Sequence, residues 1–419
     1  MNIAEMKEKR KILKELSFEK KELFRGYTDK ILYVNVGTPE FKIKDVPAQM
    51  KEKFIGGKGY GLRLLWDATT PTTKWNDPEN EVIISGGPVC GITQYSGAGK
   101  SLLVSISPQT DSIMDSNVGG FFGPFLKFSG FDALELQGKA EKDVIIYIDG
   151  STSKIEIFED PGLSVDTHIL AEELTEMFAE NEKDARNFGI VSTGAAADHS
   201  IIGMVNFTFY DVKRKKIRLK QAGRGGIGTV LRDKKIKAII CKSPGMTGNN
   251  MNNVADLDAL IATGTKYNKN FRALDDQQCQ MRKKGTANIV NVMNDYDLLP
   301  THNFKFGSHV DGIKIHSDIL RDKYFTLGVP DGCWIGCTMS CAKGVDDFEL
   351  KTGPYKGQKV IVDGPEYETA AGLGSNLGIF DYDAIIEQNF YCDTYGICTI
   401  TWGTIVAFIM ECYENGILN

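Results

Sequence analysis

Three closely spaced cysteines are the residues of this sequence best suited to metal chemistry. Cys333, Cys337 and Cys341 form a C-x3-C-x3-C pattern within GVPDGCWIGCTMSCAKG. Thiolates a few residues apart can bind one soft metal centre, and an iron–sulfur cluster is held by a set of such ligands. The spacing favours a cuboidal cluster that takes a fourth ligand from elsewhere. The candidates within the chain are Cys392, Cys398 and Cys412, and a partner chain is the alternative.

The three cysteines also have competing interpretations, which the sequence favours less. A structural zinc site usually pairs C-x2-C knuckles, and the sequence contains none. The cysteines could also be reduced thiols on adjacent helical turns, because buried cysteine is common in protein interiors. Such close spacing is unusual for inert thiols, so we favour the cluster.

Acidic and glycine-containing motifs follow the cysteines and extend the pattern. Glu366 and Glu368 lie in VDGPEYETAAGLGSNLGIFD, and Asp393, Gly396 and Cys398 lie in CDTYGICTIT. Carboxylates near a soft metal centre can move protons while the metal moves electrons. The stretch therefore predicts redox chemistry at a metal, coupled to an iron–sulfur cluster.

Composition limits the class of protein. The 419 residues are 42% hydrophobic and 25% charged, and the formal net charge of −6 argues against nucleic acid and anionic membranes as main partners. The longest nearly apolar run, residues 397–410, is too short to span a bilayer, so we expect no membrane insertion. Nine cysteines without a secretory signal indicate metal binding and free thiols, and we expect a cytoplasmic protein.

The hydrophobic pattern predicts an α+β fold. Residues 1–26 have alternating charges at helical spacing and predict a charged helical extension. Residues 27–243 contain short β-rich runs separated by turn signals, such as ILYVNV, EVIISGG and DVIIYID, and predict a β-rich base domain of twisted sheets. A polar Gly/Asn-rich linker follows, and residues 254–419 have helical periodicity and contain the cluster cysteines.

A glycine-rich segment at residues 223–228, GRGGIG, fits the G-x-G-x-x-G dinucleotide fingerprint. The fingerprint requires a buried strand before it and an acidic residue at the ribose distance after it, and neither is present. A glycine cluster with Arg224 still suits close approach of the backbone to a phosphate or another flat anion.

Taken together and in order, the motifs resemble the tungsten-containing aldehyde:ferredoxin oxidoreductase family from about Tyr27 to the C-terminus. The segments that carry the resemblance are DPENEVIISGGPVCG, SPQTDSIMDSNVGGFFGPFLKFSGFDAL, GKAEKDVIIYI, QAGRGGIGTVLRDKKIKAI, the triple cysteine, DGPEYETAAGLGSNLGI and CDTYGICTI. Single pieces such as GRGGIG are weak evidence, whereas the ordered set is specific.

The resemblance implies a β-rich base that holds a tungsten bis-pyranopterin, with molybdenum as the alternative metal, beneath helical domains that also bind a 4Fe-4S cluster. The pterin-contacting positions are those that match the family's two glycine loops and its D-x-x-G-L-(D/C) turn. They are Lys100, Asn117, Gly119, Gly120, Lys220, Gln221, Gly223, Arg224, Gly225, Asp393, Gly396 and Cys398. The backbone carbonyls of Asn117 and Gln221 would also hold a magnesium ion between pterin phosphates. Asp393 falls where a helix is expected to end, at Tyr395–Gly396, and is therefore expected on a loop.

The resemblance also assigns a catalytic acid and shows departures from the family. Glu368 matches the acid beside the metal, and a carboxyl group in a dry pocket can have its pKa raised for proton transfer. Lys100 and Lys220 stand where archaeal members have arginine. Lysine keeps the positive charge but cannot bind a phosphate through the two parallel hydrogen bonds of a guanidinium group. The chain ends at Asn419, where family members continue into a third domain. We therefore expect a second polypeptide to supply that domain.

The expected function is oxidation of an aldehyde to a carboxylic acid, with electrons passing through the cluster to ferredoxin or a ferredoxin-like subunit. One alternative on the same scaffold is a ring-reducing subunit of the benzoyl-coenzyme A reductase type. The other is a non-catalytic relay or assembly subunit of a larger redox complex. The GPEYE and SNLG segments look more like the aldehyde oxidisers.

Overall fold

The computed structural model describes residues 2–246, 248–325 and 331–419. The chain divides into two compact units: unit 1 comprises Met1–Thr263 with Thr394–Ile397, and unit 2 comprises Gly264–Asp393 with Cys398–Asn419. Within the described residues, each helix is too short or too polar to cross a bilayer. The domain boundaries proposed from the sequence stay a prediction.

In unit 1, runs of one to three strands are separated by helices, and helices dominate unit 2. The strands are β1 (Ile12–Ser17), β2 (Lys30–Asn35), β3 (Glu40–Asp45), β4 (Val82–Ser85), β5 (Ser101–Ile106), β6 (Ile113–Val118), β7 (Ala133–Gln137), β8 (Val144–Asp149), β9 (Lys154–Glu159), β10 (Phe188–Thr193), β11 (Val205–Asp211), β12 (Lys216–Ala222), β13 (Ile236–Lys242), β14 (Gly344–Glu349) and β15 (Lys359–Asp363). The helices are α1 (Ile3–Lys9), α2 (Ala48–Phe54), α3 (Lys58–Ala68), α4 (Phe122–Phe128), α5 (Thr167–Phe178), α6 (Glu182–Ala185), α7 (Ala196–His199), α8 (Ile227–Asp233), α9 (Leu257–Arg272), α10 (Gln280–Lys284), α11 (Ile289–Asp295), α12 (Ser317–Lys323), α13 (Tyr367–Leu373), α14 (Tyr382–Tyr395) and α15 (Thr399–Glu414), with 3₁₀ turns at Gly285–Asn288, Val310–Ile315 and Ser375–Leu377.

Unit 1 contains two large sheets. The first has seven strands in the order β1-β9-β8-β13-β10-β11-β12, and the second has six in the order β3-β2-β7-β4-β5-β6. Strand β8 is buried along its whole length and pairs in parallel with β13, which explains why its sequence, VIIYID, lacks alternation. The β-rich base predicted from the sequence is confirmed.

Each of the two sheets ends in a strand from which a predicted ligand-binding loop starts. Strand β6 ends the six-stranded sheet, and β12 ends the seven-stranded sheet. An edge strand leaves the backbone N–H and C=O groups of one side without sheet partners, so it can offer them to a ligand. Asn117 pairs with Leu102 of β5, and Gln221 pairs with Asn206 of β11, so both predicted ligand-binding loops start on edge strands.

The charged helical extension predicted for residues 1–26 is wrong in part. Helix α1 is short, and the chain then forms strand β1, which pairs antiparallel with β9. The ILKELS sequence fits helical spacing, but Leu13 and Leu16 are half-buried in the strand. Pairing with a neighbouring strand here overrides the local helical pattern. Arg10, between α1 and β1, forms a 2.9 Å ion pair with Glu156 of β9 and so attaches this part of the chain to the sheet.

Unit 2 is mainly helical and also contains the β14–β15 hairpin, which confirms the α+β class. Helices α13 and α15 approach closely at glycines. A Cβ atom on Gly403 would lie 2.4 Å from the carbonyl oxygen of Gly372. The two helices can cross this closely only because residue 403 has no side chain. Thr369 and Thr399 share a 3.0 Å hydrogen bond between the same two helices.

Candidate functional site

The first predicted pterin loop lies over strand β11. It leaves β6 at Asn117, turns at the buried Gly119 and Gly120, and enters α4. Gly120 has φ +88°, and a Cβ there would lie 3.3 Å from the Cβ of Phe207. Phe207 pairs with Lys220 of β12, so the first loop and the start of the second meet at one point of the sheet.

The second predicted loop, residues 221–225, closes against β6. The backbone N–H of Arg224 donates to Ser116 Oγ at 3.3 Å. Gly225 has φ +79°, and a Cβ there would lie 2.3 Å from Cγ of Met114. Gly223 is different, because a Cβ on it would meet no atom within 4 Å and would point into open space. Because β12 is an antiparallel edge strand, the βαβ unit of a dinucleotide site is not formed here.

Positive charge accompanies both loops. Lys220 is 7% exposed on β12, and Arg224 is exposed on the second loop. Lys100 is half-buried and directly precedes Ser101, which pairs with Val118, so Lys100 lies beside the first loop. The Nε2 atom of Gln221 is buried and has no hydrogen-bond partner among the described residues. Cations, glycine-lined space and an unsatisfied buried amide together fit a phosphate-bearing group such as a pyranopterin.

The turn at residues 394–397 is part of unit 1 and is docked there tightly. Gly396 has φ +70°, and a Cβ on it would lie 2.7 Å from the backbone nitrogen of Gly194. The N–H of Met204 donates to the Gly396 carbonyl at 2.8 Å, and His168 Nδ1 is hydrogen-bonded to Thr394 Oγ1. Because β11 begins one residue after Met204 and Val205 pairs with Ala222, the turn lies at the end of β12 where the second loop starts.

Asp393 and Cys398, which flank this turn, belong to unit 2. Asp393 is buried in the last turn of α14, so its predicted placement on a loop is wrong; the helix continues through Tyr395. Cys398 is the buried N-cap residue of α15, and its Sγ accepts a 3.4 Å hydrogen bond from Thr401 Oγ1. Burial raises the pKa of Cys392 well above its ordinary value, and the charges of Asp393 and Cys398 act in the same direction. Cys392, Asp393 and Cys398 are therefore neighbours in a dry region.

The triple-cysteine segment forms a compact loop in unit 2. Its described part starts at Asp331, whose backbone pairs with Cys341, and Cys337 N–H donates to the Trp334 carbonyl at 3.2 Å. Cys333 is buried and Cys337 and Cys341 are half-buried, and all three are reduced cysteines outside disulfide bonds. Across the described ranges, no three His, Cys, Asp or Glu side chains are already gathered for a metal ion. The donor chemistry, three reduced cysteines on one short loop, still fits a soft iron–sulfur centre.

Glu368 lies in the first turn of α13, with an exposed side chain. The preceding residue, Tyr367, is anchored by its backbone N–H, which donates to Thr286 Oγ1 at 3.1 Å. Burial raises the pKa of Tyr367, and the charge of Glu368 raises it further. An acid in the first turn also suits the helix dipole. The catalytic role of Glu368 stays a prediction, as do the roles of the other site residues.

Comparison with known proteins decides the family. The description "Aldehyde ferredoxin oxidoreductase, N-terminal domain" matches residues 31–243, and "Aldehyde ferredoxin oxidoreductase, domains 2 & 3" matches residues 262–419. The chain belongs to the aldehyde ferredoxin oxidoreductase family. The two matched regions together include both glycine loops, the triple cysteine and the 394–397 turn.

Two curated relatives agree with this assignment. The chain is 31% identical over 393 residues to the tungsten-containing aldehyde ferredoxin oxidoreductase of Pyrococcus horikoshii, covering 94% of this chain and 60% of that protein. It is 27% identical over 401 residues to the aliphatic sulfonate oxidoreductase, WOR-like subunit, of Pyrococcus furiosus, again covering 94% and 60%. The chain therefore spans about three-fifths of the length of these relatives.

The fold of this aldehyde ferredoxin oxidoreductase family member is also found in a solved structure. The chain resembles the active site complex BamBC of benzoyl coenzyme A reductase in complex with 1,5 dienoyl-CoA, with a TM-score of 0.70 and 21% identity. The aligned region covers 94% of this chain and 57% of the solved one. At this identity the likeness shows a shared fold.

The structure adds residues that sequence reasoning missed. Gly194, Met204 and His168 hold the 394–397 turn, and Ser116 and Met114 hold the second loop. Only Gly194, in the STGAAAD segment directly after β10, carries a turn signal that a reader of the sequence could have noticed. The other contacts arise from strand pairing and have no local motif.

Lys220 offers a test of the proposed cradle. We expect Lys220→Gln to weaken retention of a phosphate-bearing pterin about ten- to a hundred-fold, because a hydrogen bond to a charged group contributes about 1.5–3 kcal/mol. Tungsten and phosphate per chain, measured after dilution and gel filtration, report the loss. Lys216→Gln is the matched control, since Lys216 is exposed at the far end of the same strand. Equal losses in both variants would contradict a specific role for Lys220.

Proposed function

We propose that this chain is the cofactor-binding part of a tungsten oxidoreductase that converts an aldehyde and water to a carboxylic acid. The reaction releases two electrons and two protons, and the electrons leave one at a time through a 4Fe-4S cluster to ferredoxin or a ferredoxin-like subunit. The observation that carries the proposal is the approach of two glycine loops at the edge strands β6 and β12 of unit 1, with Lys100, Lys220 and Arg224 on or next to those loops.

The roles of the unit 1 residues follow from their chemistry. Lys100, Lys220 and Arg224 would bind pterin phosphates, and Gly223 leaves open space for the approach of a flat group. The backbone carbonyls of Asn117 and Gln221, both on edge strands, would hold a magnesium ion between those phosphates. When bound, the tungsten bis-pyranopterin supplies the two-electron redox centre.

The roles of the unit 2 residues concern electrons and protons. Cys333, Cys337 and Cys341 would bind the cluster through their thiolates. Asp393 would accept N–H bonds from a pterin, and the buried surroundings of Asp393 and Cys398 would keep water from those contacts. Glu368 would take the proton released as water adds to the carbonyl.

An exposed apolar face on α15 supports a further protein contact. Phe408 is 61% exposed and Tyr413 is 66% exposed. Trp402, Ile405 and Ile409 on the same helix are exposed to smaller fractions. Exposed apolar patches of this kind mark interaction sites. The occupant we propose is the part of the family's polypeptide that lies outside the aligned three-fifths.

Anaerobic purification after growth with tungstate tests the proposed function. We expect about one tungsten and about four iron atoms per chain, and reduction of a viologen dye by aldehydes once the remaining family domain is present. Iron without tungsten would overturn the proposal in favour of an electron-relay subunit. Tungsten with oxidation of a cyclic dienoyl-coenzyme A, but not of any aldehyde, would overturn it in favour of ring chemistry.

A further inference from the structure

A cleft in unit 2 lies between the last turns of α15 and the loop at residues 302–306. Its volume is about 190 Å³, and its lining includes Asn303, Lys305 and Phe306 of the loop and Glu411 and Glu414 of the helix. Pockets for drug-sized ligands measure roughly 300–1,000 Å³. This cleft is smaller and suits a single long side chain.

The loop that forms one wall of the cleft is held in an unfavourable backbone conformation. His302, Asn303 and Phe304 have φ values of +48°, +54° and +62°, a region that residues with side chains rarely adopt. The N–H of Asn303 donates to the carbonyl of Asn376 at 2.9 Å, and the N–H of Phe304 donates to Asn376 Oδ1 at 3.0 Å. Asn376 is buried, so the wall is fixed from inside the unit. Strained segments of this kind cluster at ligand-binding sites.

The opposite wall of the cleft is negatively charged. Glu411 and Glu414 are three residues apart and so lie on one face of α15. Glu411 Oε2 accepts a 2.6 Å hydrogen bond from Asn303 Nδ2, and neither carboxylate forms an ion pair with a residue that the structure describes. The C-terminal carbonyls of α15 add partial negative charge.

Lys305 is the cation in this lining, and its ammonium lies 5.7 Å from the centre of the Phe306 ring. Two carboxylates and a helix C-terminus face this single ammonium, so the cleft favours a further cation.

Aromatic side chains surround the cleft. Phe304 is 61% exposed and lies between two lining residues, and Phe306 is 51% exposed. Phe408, also exposed, is three residues before Glu411 on α15. Aromatic faces attract cations, and the planar guanidinium of arginine stacks on them. Exposed apolar side chains around a polar centre also mark a protein contact more than a site for a free ion.

We infer that this cleft binds an arginine side chain of the polypeptide proposed above to cover α15. The guanidinium pairs with Glu411 and Glu414 through charge-assisted hydrogen bonds, and the apolar neighbours of that arginine pack on Phe304 and Phe408. The inference rests on the proposed function for the identity of that polypeptide. The charge and shape of the cleft do not depend on tungsten.

Titration of a short arginine peptide into the cofactor-free full chain, followed by calorimetry, tests the inference. The probe is N-acetyl-Phe-Arg-amide, and we expect a dissociation constant on the order of 1 mM. The same peptide with citrulline in place of arginine is neutral and has nearly the same shape, and it should bind about ten-fold more weakly. Butylguanidinium, a free cation without the apolar neighbour, should also bind more weakly.

Variants of three exposed side chains separate charge from structure. Glu411→Gln and Glu414→Gln should each weaken binding about three- to ten-fold, because each removes one partner of the guanidinium. Lys305→Gln should strengthen binding about two- to three-fold, because it removes a competing cation, and a purely structural role would not produce this gain. Glu349→Gln is the matched control at an exposed position on β14, and circular dichroism checks the fold of every variant.

Equal binding of the arginine and citrulline peptides, or wild-type affinity in both glutamate variants, would overturn the inference. Butylguanidinium that binds as tightly as the peptide would replace the polypeptide occupant with a free small cation. Peptide binding that depends on Glu411 and Glu414 in a chain that takes up no tungsten would support the cleft assignment and overturn the proposed function. Tungsten uptake without peptide binding would overturn the cleft assignment alone.

Discussion

A single methyl group at Gly396 or Gly194 is expected to release the 394–397 turn and to abolish cofactor retention. The added Cβ would lie 2.7 Å from the Gly194 nitrogen in Gly396→Ala, and 2.4 Å from the Tyr395 carbonyl carbon in Gly194→Ala. Both neighbours are backbone atoms, which cannot move aside as a flexible side chain can. Gly396 also has φ +70°, where a side chain adds roughly 1–2 kcal/mol of strain. We expect each variant to lose about 2–4 kcal/mol of stability.

Thermal unfolding of the cofactor-free chain and tungsten content of the loaded chain measure these losses separately. Gly223→Ala is the matched control, because its Cβ would meet no atom within 4 Å. That variant should unfold like the original chain and bind the pterin less well, since its methyl group enters the space left for the ligand. Wild-type stability in Gly396→Ala and Gly194→Ala would show that the turn is not held by this contact.

The sequence was sufficient for the general fold but not for local choices that depend on distant partners. The apolar β8 run predicts a strand buried on both faces, as found, because such a run has few other stable solutions. The ILKELS segment fits a helix equally well, and only pairing with β9 decides for a strand. Asp393 was expected outside a helix for a related reason: the glycine at 396 ends α14 as predicted, but the helix includes the residues just before it.

The features of the candidate site also divide into those that have a local sequence motif and those that depend on distant partners. The glycine loops and the triple cysteine can be recognised in the sequence because each is a local motif. That both loops start on sheet edges follows from strand order, which no local motif encodes. The packing of α10 against the cysteine loop, through Lys343 and Gly285, also has no local motif in the sequence.

The six-stranded sheet is expected to lose stability as pH rises, because it buries a carboxyl group at Glu81. Glu81 is 2% exposed, directly before β4, and its Oε2 has no hydrogen-bond partner among the described residues. Burial and the charge of Glu135 raise the pKa of Glu81 to about 8, although Lys44 and Lys234 oppose the shift. Glu135 is itself ion-paired with Lys44, whereas Glu81 forms no ion pair with any residue that the structure describes. Glu81 is therefore the group that stays protonated in the folded chain.

The direction in which stability changes with pH follows from proton linkage. Between the ordinary glutamate pKa and about 8, folded Glu81 holds a proton that the unfolded chain releases. Its contribution to stability is thus complete in acid and lost as pH rises through this range, on the order of 3 kcal/mol between about pH 5 and about pH 8. Glu81→Gln mimics the protonated form and should flatten this part of the profile, measured as the midpoint of urea unfolding against pH. Glu79→Gln, at an exposed position two residues earlier, should leave the slope unchanged. If Glu81→Gln kept the wild-type slope, the buried carboxyl would have to be ionised in the folded chain, with a cation closer to it than Lys44 or Lys234.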